Sequence, residues 1–288
     1  IVSVDHCADQ YVLALAERGD IAALSPRATD SYSYHAERAE GLPQRPPTAE
    51  NLLMLDPGVV VRLWGGSRGT KTTLARYDIP VVQVDYGTDI ATARRNLRRV
   101  GEALGAERKA ADLITSMNER LEQARSRRLP SDRRPRAAYV TPRGTTAGEG
   151  TFVDALLTAA GLRNVAAEAG RGGWHPVDLE RLALNPPDIV VGGFFDRTER
   201  PDYWSIARHS FLEDLFDRVP FVRIPGRFLT CQAWYFLDAV ELLQAHMAER
   251  RGMLRAPQMP GVPPPPAGTG ADLTTGGPPD SRVAQGAP

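Results

Sequence analysis

The sequence is poor in cysteine and in lysine. Among its 288 residues there are two cysteines, Cys7 and Cys231, and two lysines, Lys71 and Lys109. The cysteines are too far apart for a zinc-ligand spacing and too few for a disulfide framework, so they leave the redox compartment open. We expect packing or capping roles for both. Arginine supplies almost all of the positive charge.

The sequence also lacks net charge and long apolar runs. Its 35 basic and 35 acidic residues give a formal net charge of +0, which excludes the diffuse electrostatic footprint that nucleic acid or an anionic membrane demands. No apolar run approaches the roughly 18 residues of a membrane-spanning helix. Because the chain opens on Ile1 and enters a strand pattern at once, we expect that an upstream segment has been removed, which allows export.

Strand-like and helix-like segments alternate along residues 1–87, the predicted N-terminal lobe. Such alternation with short connections predicts a parallel sheet covered by helices. The predicted strands are 1–4, 21–24, 59–63 and 81–84, and the predicted helices are 10–18, 48–55 and 71–77. From Thr88, a suitable N-cap, the pattern becomes long helix with an interruption near Gly105. We interpret 88–134 as a helical bridge, whose second helix would be about 33 Å long.

The alternation resumes after Pro135 and predicts a second α/β lobe over residues 135–252. Its predicted strands are 137–141, 189–192 and 222–224, and its predicted helices are 151–160, 176–184, 210–216 and 233–250. Residues 253–288 are rich in proline and glycine and poor in large apolar residues, so we expect a disordered tail there.

One phrase occurs in both predicted lobes. ENLLMLDPGVVV begins at Glu50, and ERLALNPPDIVV begins at Glu180. Each reads as a helix with its leucines toward a sheet, a turn marked by proline, and a buried parallel strand. The repetition predicts two similar lobes joined by helix, although such phrases also recur by chance in α/β proteins.

The loops that follow the predicted strands carry the candidate binding residues, because ligands of open parallel sheets bind beyond the carboxyl ends of the strands. Arginine forks bind oxyanions, and aromatic faces cover flat or apolar ligand surface. Together they predict a bulky anionic ligand, unless the arginines merely decorate solvent-exposed loops. The candidates are Arg27, Arg62, Trp64, Tyr86, Arg143, Trp174, Phe195, Arg197, Arg227 and Phe228.

Enzyme motifs are not found. GGSRGTKTT resembles a phosphate-binding loop but has Thr70 where that motif needs glycine before the lysine. Nucleophile-elbow, zincin and dinucleotide fingerprints do not occur. We therefore predict no catalytic residues, no resident metal and no cofactor. A metal-handling or redox protein that uses His6, Cys7 and Cys231 stays open as an alternative.

Several segments together resemble the substrate-binding proteins of ABC importers for ferric siderophores, haem and vitamin B12. They are IVSVDHCADQYVLAL, ENLLMLDPGVVV, the long helix, TTAGEGTFVDALLTAAGLRNVA and ERLALNPPDIVV. The resemblance runs from about residue 1 to residue 247. It implies an α/β fold of two Rossmann-like lobes with central parallel sheets, bridged by a single long α-helix. It also implies a shallow cleft, a periplasmic location and a monomeric carrier without enzymatic activity.

The resemblance also implies a role for Glu50 and Glu180, because one acidic residue on each lobe of such proteins meets arginines of the membrane permease. Their alternative role is that of solvated residues at a helix start. In the first loop, many relatives have a proline and a threonine–glutamate pair where this chain has His6, Cys7, Asp9 and Gln10, so no ligand contact is inferred there.

The arginine set favours a metal chelate with anionic oxygens, such as a ferric siderophore, as the cargo. Cobalamin and haem remain alternatives of the same class, and cobalamin, whose periphery is largely uncharged, would need aromatic residues more than guanidinium groups. A module that has kept the fold and lost transport is a further alternative.

Overall fold

The computed structural model describes residues 1–66, 68–197 and 210–255. Most of the predicted tail therefore lies outside the described residues. Within them the chain forms two α/β lobes with parallel central sheets, as the sequence predicts.

The first lobe has a three-stranded parallel sheet in the order β1-β2-β3. Residues 21–24, predicted as a strand, form an extended segment beside β1, where Ser3 N donates to Ala23 O at 3.0 Å. The elements of this lobe are β1 (Val2–Ser3), α1 (His6–Leu15), α2 (Ala36–Ala39), α3 (Ala49–Met54), β2 (Val60–Arg62), α4 (Arg68–Arg76) and β3 (Val81–Gln83).

Two helices follow the first lobe, α5 (Ile90–Ala103) and α6 (Glu107–Ser126). Asp89, not the predicted Thr88, is the N-cap of α5, since its Oδ1 accepts a hydrogen bond from Thr92 N at 2.7 Å.

The second lobe has a four-stranded parallel sheet in the order β6-β4-β8-β9 and a separate two-stranded antiparallel sheet of β5 and β7 that the sequence does not predict. Its elements are β4 (Arg136–Val140), β5 (Thr145–Ala147), α7 (Phe152–Ala160), β6 (Arg163–Asn164), α8 (Val165–Glu168), β7 (Trp174–Pro176), α9 (Leu179–Leu184), β8 (Ile189–Gly193), α10 (Ser210–Arg218), β9 (Phe221–Ile224), α11 (Gly226–Leu229) and α12 (Phe236–Arg255).

The two sheets have the same strand order. In the first lobe, β1 lies between the extended segment 21–24 and β2, and β3 lies beyond β2. In the second lobe, β4 lies between β6 and β8, and β9 lies beyond β8. The two phrases that begin at Glu50 and Glu180 occupy equivalent positions, because α3 leads into β2 and α9 leads into β8. The repetition in the sequence thus corresponds to a repetition in the topology.

Helix α6 contacts both lobes. Near its start, Lys109 Nζ donates to Leu15 O at 3.1 Å in the first lobe. Further along, Arg120 forms ion pairs with Asp238 at 2.7 Å and with Glu241 at 2.6 Å, both on α12 of the second lobe. A 20-residue helix is about 30 Å long, enough to span a small domain. Helix α5 turns back and packs along α6.

The two cysteines form a disulfide, with 5.2 Å between the Cα atoms of Cys7 and Cys231. The expectation of packing or capping roles was therefore wrong. Cys7 lies in the first turn of α1, and Cys231 lies in the turn before α12, so the bond joins the two lobes. Beside it, Tyr11 packs edge-on against Trp234 with ring centroids 5.1 Å apart.

A single hydrophobic cluster continues across the lobe boundary and includes buried residues of α1, α5, α6, α7 and α12. Tyr34 of the first lobe stacks on Tyr235 with 4.2 Å between ring centroids and donates to Asp238 Oδ2 at 2.8 Å. Because the lobes share one packed core, large rotations between them would expose apolar surface.

The described helices include none that is both long and apolar enough to cross a membrane.

We expect the interlobe disulfide to contribute substantially to stability. Replacing Cys7 and Cys231 together by serine should lower the free energy of unfolding by about 2–5 kcal/mol, because the cross-link restricts the unfolded chain. Urea denaturation with and without a thiol reductant measures this. The reductant should bring the wild-type protein to the stability of the double variant and leave the variant unchanged. Equal stability of the two oxidised proteins would contradict the prediction.

Close packing of α5 on α6 gives a second expectation. A Cβ added to Gly101 would lie 2.5 Å from Ala110 Cβ, whereas a Cβ added to Gly58 would have no neighbour within 4 Å. Gly101→Ala should therefore cost about 1–3 kcal/mol through overpacking, while Gly58→Ala should be close to neutral. Chemical denaturation of both variants tests the difference, and an equal effect on the two would argue against the close helix contact.

Candidate functional site

A cavity of about 280 Å³ lies between the lobes, beyond the carboxyl ends of the strands. We call it the interlobe cleft. It is lined by Tyr86, Thr88, Tyr139, Gly150, Thr151, Phe152, Val153, Gly173, Trp174, Phe194, Leu229 and Gln232. This is where ligands of open parallel sheets bind.

The aromatic side chains Tyr86 and Trp174 face the interlobe cleft from different lobes, and both are members of the set predicted from the sequence. Their exposed fractions are 47% and 49%. Exposed large aromatics are costly to leave in water and often mark a binding surface. Trp174 is carried by β7 of the two-stranded sheet, where it pairs with Ala147 of β5 and lies edge-on to Tyr139 with centroids 6.0 Å apart.

Asp5 organises the strand ends on the first-lobe side. As the N-cap of α1 it accepts hydrogen bonds from Cys7 N and Ala8 N through Oδ1. Its Oδ2 accepts from Leu63 N at 2.6 Å and from Gly65 N at 2.9 Å, which fixes the loop after β2.

Trp64 is held in that loop beside Tyr86. A Cβ at Gly65 would lie 2.3 Å from Val4 O, so only glycine permits this close approach. The Trp64 ring then lies 5.5 Å from the ring of Tyr86, next to the cleft but outside its lining, and it is 59% exposed.

Among the described residues, the lining of the interlobe cleft carries no Asp, Glu, Lys, Arg or His side chain. Two of the predicted arginines have partners elsewhere on the first lobe. Arg27 is exposed and pairs with Asp30 at 2.8 Å, and Arg62 donates through an Nη atom to Trp64 O at 3.3 Å. Neither belongs to the lining.

The second-lobe arginines are also outside the lining. Arg143 is exposed in the turn between β4 and β5. Arg227 is exposed and its guanidinium lies 5.3 Å from the ring centroid of Phe228, which is partly buried against the core. The side chain of Arg197 lies outside the described residues. The roles of these arginines and of Phe228 in binding remain predictions.

Phe195 was selected from the sequence, but the cleft is lined by its neighbour Phe194. Phe195 packs edge-on against Phe221 with centroids 5.1 Å apart, in a hydrophobic cluster of the second lobe. Phe194 has a φ of 64°, which departs from the strand conformation and directs the chain differently after β8. The alternation of side chains along a strand does not predict a residue with positive φ at the end of that strand.

Other lining residues were missed because they lie within a predicted strand or do not directly follow one. They come from β4, the segment before α5, the start of α7, the residue before β7, α11 and the turn before α12, and the most polar of those that follow no strand are Thr88, Thr151 and Gln232. The sequence signal for Gln232 was its position next to Cys231, which becomes informative only once the disulfide is known.

Glu50 and Glu180 are both exposed and occupy equivalent positions in α3 and α9. Each lies two residues after its N-cap: Thr48 accepts from Asn51 N at 3.2 Å, and Asp178 accepts from Arg181 N at 3.0 Å. Helices that precede a parallel strand begin at the carboxyl edge of the sheet, so both glutamates belong to the edge that carries the cleft.

The thiol-based metal site is excluded, because both sulfur atoms are consumed by the disulfide. His6 is largely buried, which lowers the pKa of its imidazole, and its Nδ1 lies 3.3 Å from Arg27 O. In the part of the chain that the structure describes, no group of three or more His, Cys, Asp or Glu side chains could hold a metal ion.

A larger cavity of about 700 Å³ lies at the opposite edge of the second lobe. Its lining includes Pro135, Asp188 and Pro220, which precede β4, β8 and β9. It is therefore at the amino edge of the sheet and involves only the second lobe and its flanking helices. The interlobe cleft is the better candidate, because both lobes contribute to it at the carboxyl edge.

The fold and this cleft define a two-lobed solute-binding protein. The sequence profile of the periplasmic binding protein family matches residues 1–202, and the chain belongs to this family. Proteins of this family bind solutes for transporters, which is consistent with an extracytoplasmic location.

Two curated relatives are similar in sequence. A cobalamin-binding protein of Halobacterium salinarum is 27% identical over 197 residues, which are 67% of this chain and 53% of the relative. The chain thus spans about half the length of that relative. An uncharacterized ABC transporter substrate-binding lipoprotein of Bacillus subtilis, YvrC, is 24% identical over 234 residues, covering 71% of this chain and 74% of the relative.

A solved structure shows the same fold. The periplasmic heme-binding protein HutB of Vibrio cholerae superimposes with a TM-score of 0.70 at 17% sequence identity. The match covers 85% of this chain and 97% of that one. The agreement supports the two-lobed architecture.

Proposed function

We propose that the protein is the substrate-binding protein of an ABC importer for a corrinoid such as cobalamin. The observation that carries this proposal is the composition of the interlobe cleft, which is aromatic and hydroxyl-rich and has no charged side chain among the described residues that line it. Cobalamin has a largely uncharged periphery of carboxamides around a flat ring, whereas haem and most ferric siderophores present carboxylates or other anionic oxygens that need a cationic partner.

The relative from Halobacterium salinarum supports the same cargo, since it is a cobalamin-binding protein. The cavity of about 280 Å³ is smaller than the whole ligand would require. The cleft would therefore hold one edge of the macrocycle between Tyr86 and Trp174, and the rest would lie toward solvent.

An anionic chelate, the cargo favoured by the arginine pattern, would need guanidinium groups at the ligand. The described lining supplies none, and Arg27 already has an acidic partner. That hypothesis would now depend on Arg197, or on a larger site that extends beyond the cleft.

The disulfide supports an extracytoplasmic site of action. Stable structural disulfides form in oxidising compartments and are rare in the cytosol, and this bond joins the two halves of the molecule. A periplasmic location is therefore part of the proposal.

Isothermal titration of the purified protein with cobalamin, haem and a panel of ferric siderophores tests the cargo. Cobalamin should bind with micromolar to nanomolar affinity, about −8 to −12 kcal/mol. Trp174→Ala and Tyr86→Ala should each weaken it about tenfold, because each removes an aromatic contact of about 1 kcal/mol or more.

The matched control is Tyr77→Ala, which removes an exposed aromatic of the first lobe that does not line the cleft. It should leave the affinity unchanged. Tighter binding of haem or of a siderophore than of cobalamin would overturn the corrinoid assignment.

The same proposal gives Glu50 and Glu180 the role of docking the carrier on the permease. An exposed acidic residue at an equivalent place on each lobe suits a partner built of two similar subunits. Replacing both by lysine should strongly reduce transport by the intact importer and leave the affinity for cargo unchanged.

A charge-matched control is Glu37→Lys with Glu119→Lys, since both residues are exposed and lie on other helices, α2 and α6. This control should transport normally. Normal transport by the Glu50 and Glu180 double variant would contradict the docking role and favour a protein that has lost transport.

A further inference from the structure

Two residues that line the interlobe cleft carry buried polar atoms without hydrogen-bond partners among the described residues. They are the hydroxyl of Tyr139 and the Oε1 atom of Gln232. A buried polar group without a partner is costly and is rarely kept unless something satisfies it. The two residues belong to different elements, β4 and the turn before α12, yet both line the same cavity.

Tyr139 is available as a hydrogen-bond donor. The residue is only 1% exposed, and burial raises the pKa of its phenol, so the hydroxyl keeps its proton. A Cβ at Gly193 would lie 2.1 Å from this oxygen, so the absence of a side chain there makes room for the hydroxyl. Phe194, the next residue, also lines the cleft.

Gln232 is available as an acceptor. Its Nε2 donates to the Tyr86 hydroxyl at 3.3 Å across the lobe boundary, which leaves the Oε1 atom without a partner in the described chain. Gly87 of the first lobe lies against it, because a Cβ at Gly87 would lie 3.2 Å from Gln232 Cβ. The side chain is thus held by contacts from both lobes.

The backbone that carries Gln232 is strained and cross-linked. Cys231 and Gln232 have φ values of 66° and 43°, a conformation that non-glycine residues rarely adopt. With Phe194, they are three of the five non-glycine residues of positive φ in the described chain, and all three lie at the cleft or directly beside it. Such strain persists where surrounding structure enforces it and is concentrated at functional sites. Here the disulfide of Cys231 provides the constraint.

A donor and an acceptor that are buried in the wall of one cavity match one ligand group in particular. A carboxamide offers a carbonyl oxygen to the phenol and an N–H to the glutamine oxygen, whereas an ionised carboxylate offers only acceptors. Both protein atoms are shielded from solvent, so the ligand must displace covering side chains such as Trp174, which lies edge-on to Tyr139.

We propose that Tyr139 and Gln232 form a subsite that recognises a carboxamide of the ligand, with the phenol donating to the amide oxygen and Gln232 Oε1 accepting from the amide N–H. This inference rests on the proposed corrinoid function, because the periphery of cobalamin carries carboxamides. The subsite selects cobalamin against corrinoids in which the contacted amide has become a carboxylate.

The test compares cobalamin with its monocarboxylate derivatives, each with one side-chain amide hydrolysed, by isothermal titration. The wild-type protein should bind at least one of these derivatives about tenfold or more weakly than cobalamin, since a site built for a hydrogen-bonding group rejects the analogue that lacks it. Tyr139→Phe and Gln232→Leu should each bind cobalamin about tenfold more weakly, and Gln232→Leu should lose the discrimination between the amide and the acid.

Gln232→Glu keeps an acceptor and adds a negative charge, so it should discriminate more strongly against the acid. Tyr77→Phe and Gln123→Leu are the matched controls, since both residues are exposed and outside the lining. Thermal unfolding separates binding from stability for Tyr139→Phe, because this change deletes an atom without a partner in the described chain and should not lower the melting temperature. Gln232→Leu and Gln232→Glu both also lose the Nε2 donor to the Tyr86 hydroxyl, so each serves as the stability control of the other.

Two negative results have different meanings. Cobalamin binding at wild-type affinity and with wild-type discrimination in both Tyr139→Phe and Gln232→Leu would overturn the subsite and leave the proposed function intact. Absence of corrinoid binding by the wild-type protein would overturn the proposed function and the subsite with it.

Discussion

The Cys7–Cys231 disulfide is the constraint on which the geometry of the cleft depends. It joins the first turn of α1 to the turn before α12 and holds Cys231 in a backbone conformation that an uncrosslinked cysteine would rarely adopt. Gln232 is the next residue and reaches Tyr86 of the opposite lobe. A covalent bond that fixes the lobes together thus also fixes a polar group of the candidate site.

Around this bond the lobes are packed rather than hinged. One hydrophobic cluster continues through α1, α5, α6, α7 and α12, and the Arg120 ion pairs connect α6 with α12. A carrier built in this way holds the backbone around the cleft in place before the ligand arrives, so that binding requires movement of side chains and not of the lobes, which lowers its entropic cost. It also keeps Glu50 and Glu180 at a constant separation, which suits recognition by a partner with two similar subunits.

The composition of the cleft supports one of the cargoes considered for this fold over the others. The aromatic residues predicted from strand ends, Tyr86 and Trp174, lie in the lining, whereas the described arginines lie outside it. Arginine is abundant in this sequence and almost replaces lysine, so its presence after a strand carries less information than the presence of an aromatic residue. A lining whose described residues are all uncharged agrees better with the carboxamide periphery of a corrinoid than with an anionic chelate.

The sequence alone determined the architecture, because the periodicity of apolar residues and the positions of proline and glycine act locally. Two α/β lobes, the helical connection after Thr88, and the equivalence of Glu50 and Glu180 could all be read from it.

The tertiary structure alone decided which distant residues meet. Cys7 and Cys231 are 224 residues apart in sequence, and no local pattern reveals that their Cα atoms approach each other. The tertiary structure also decided that Phe194 and not Phe195 lines the cleft, because Phe194 has a positive φ. Tyr139 and Gln232 likewise line one cavity that exists only once both lobes are packed.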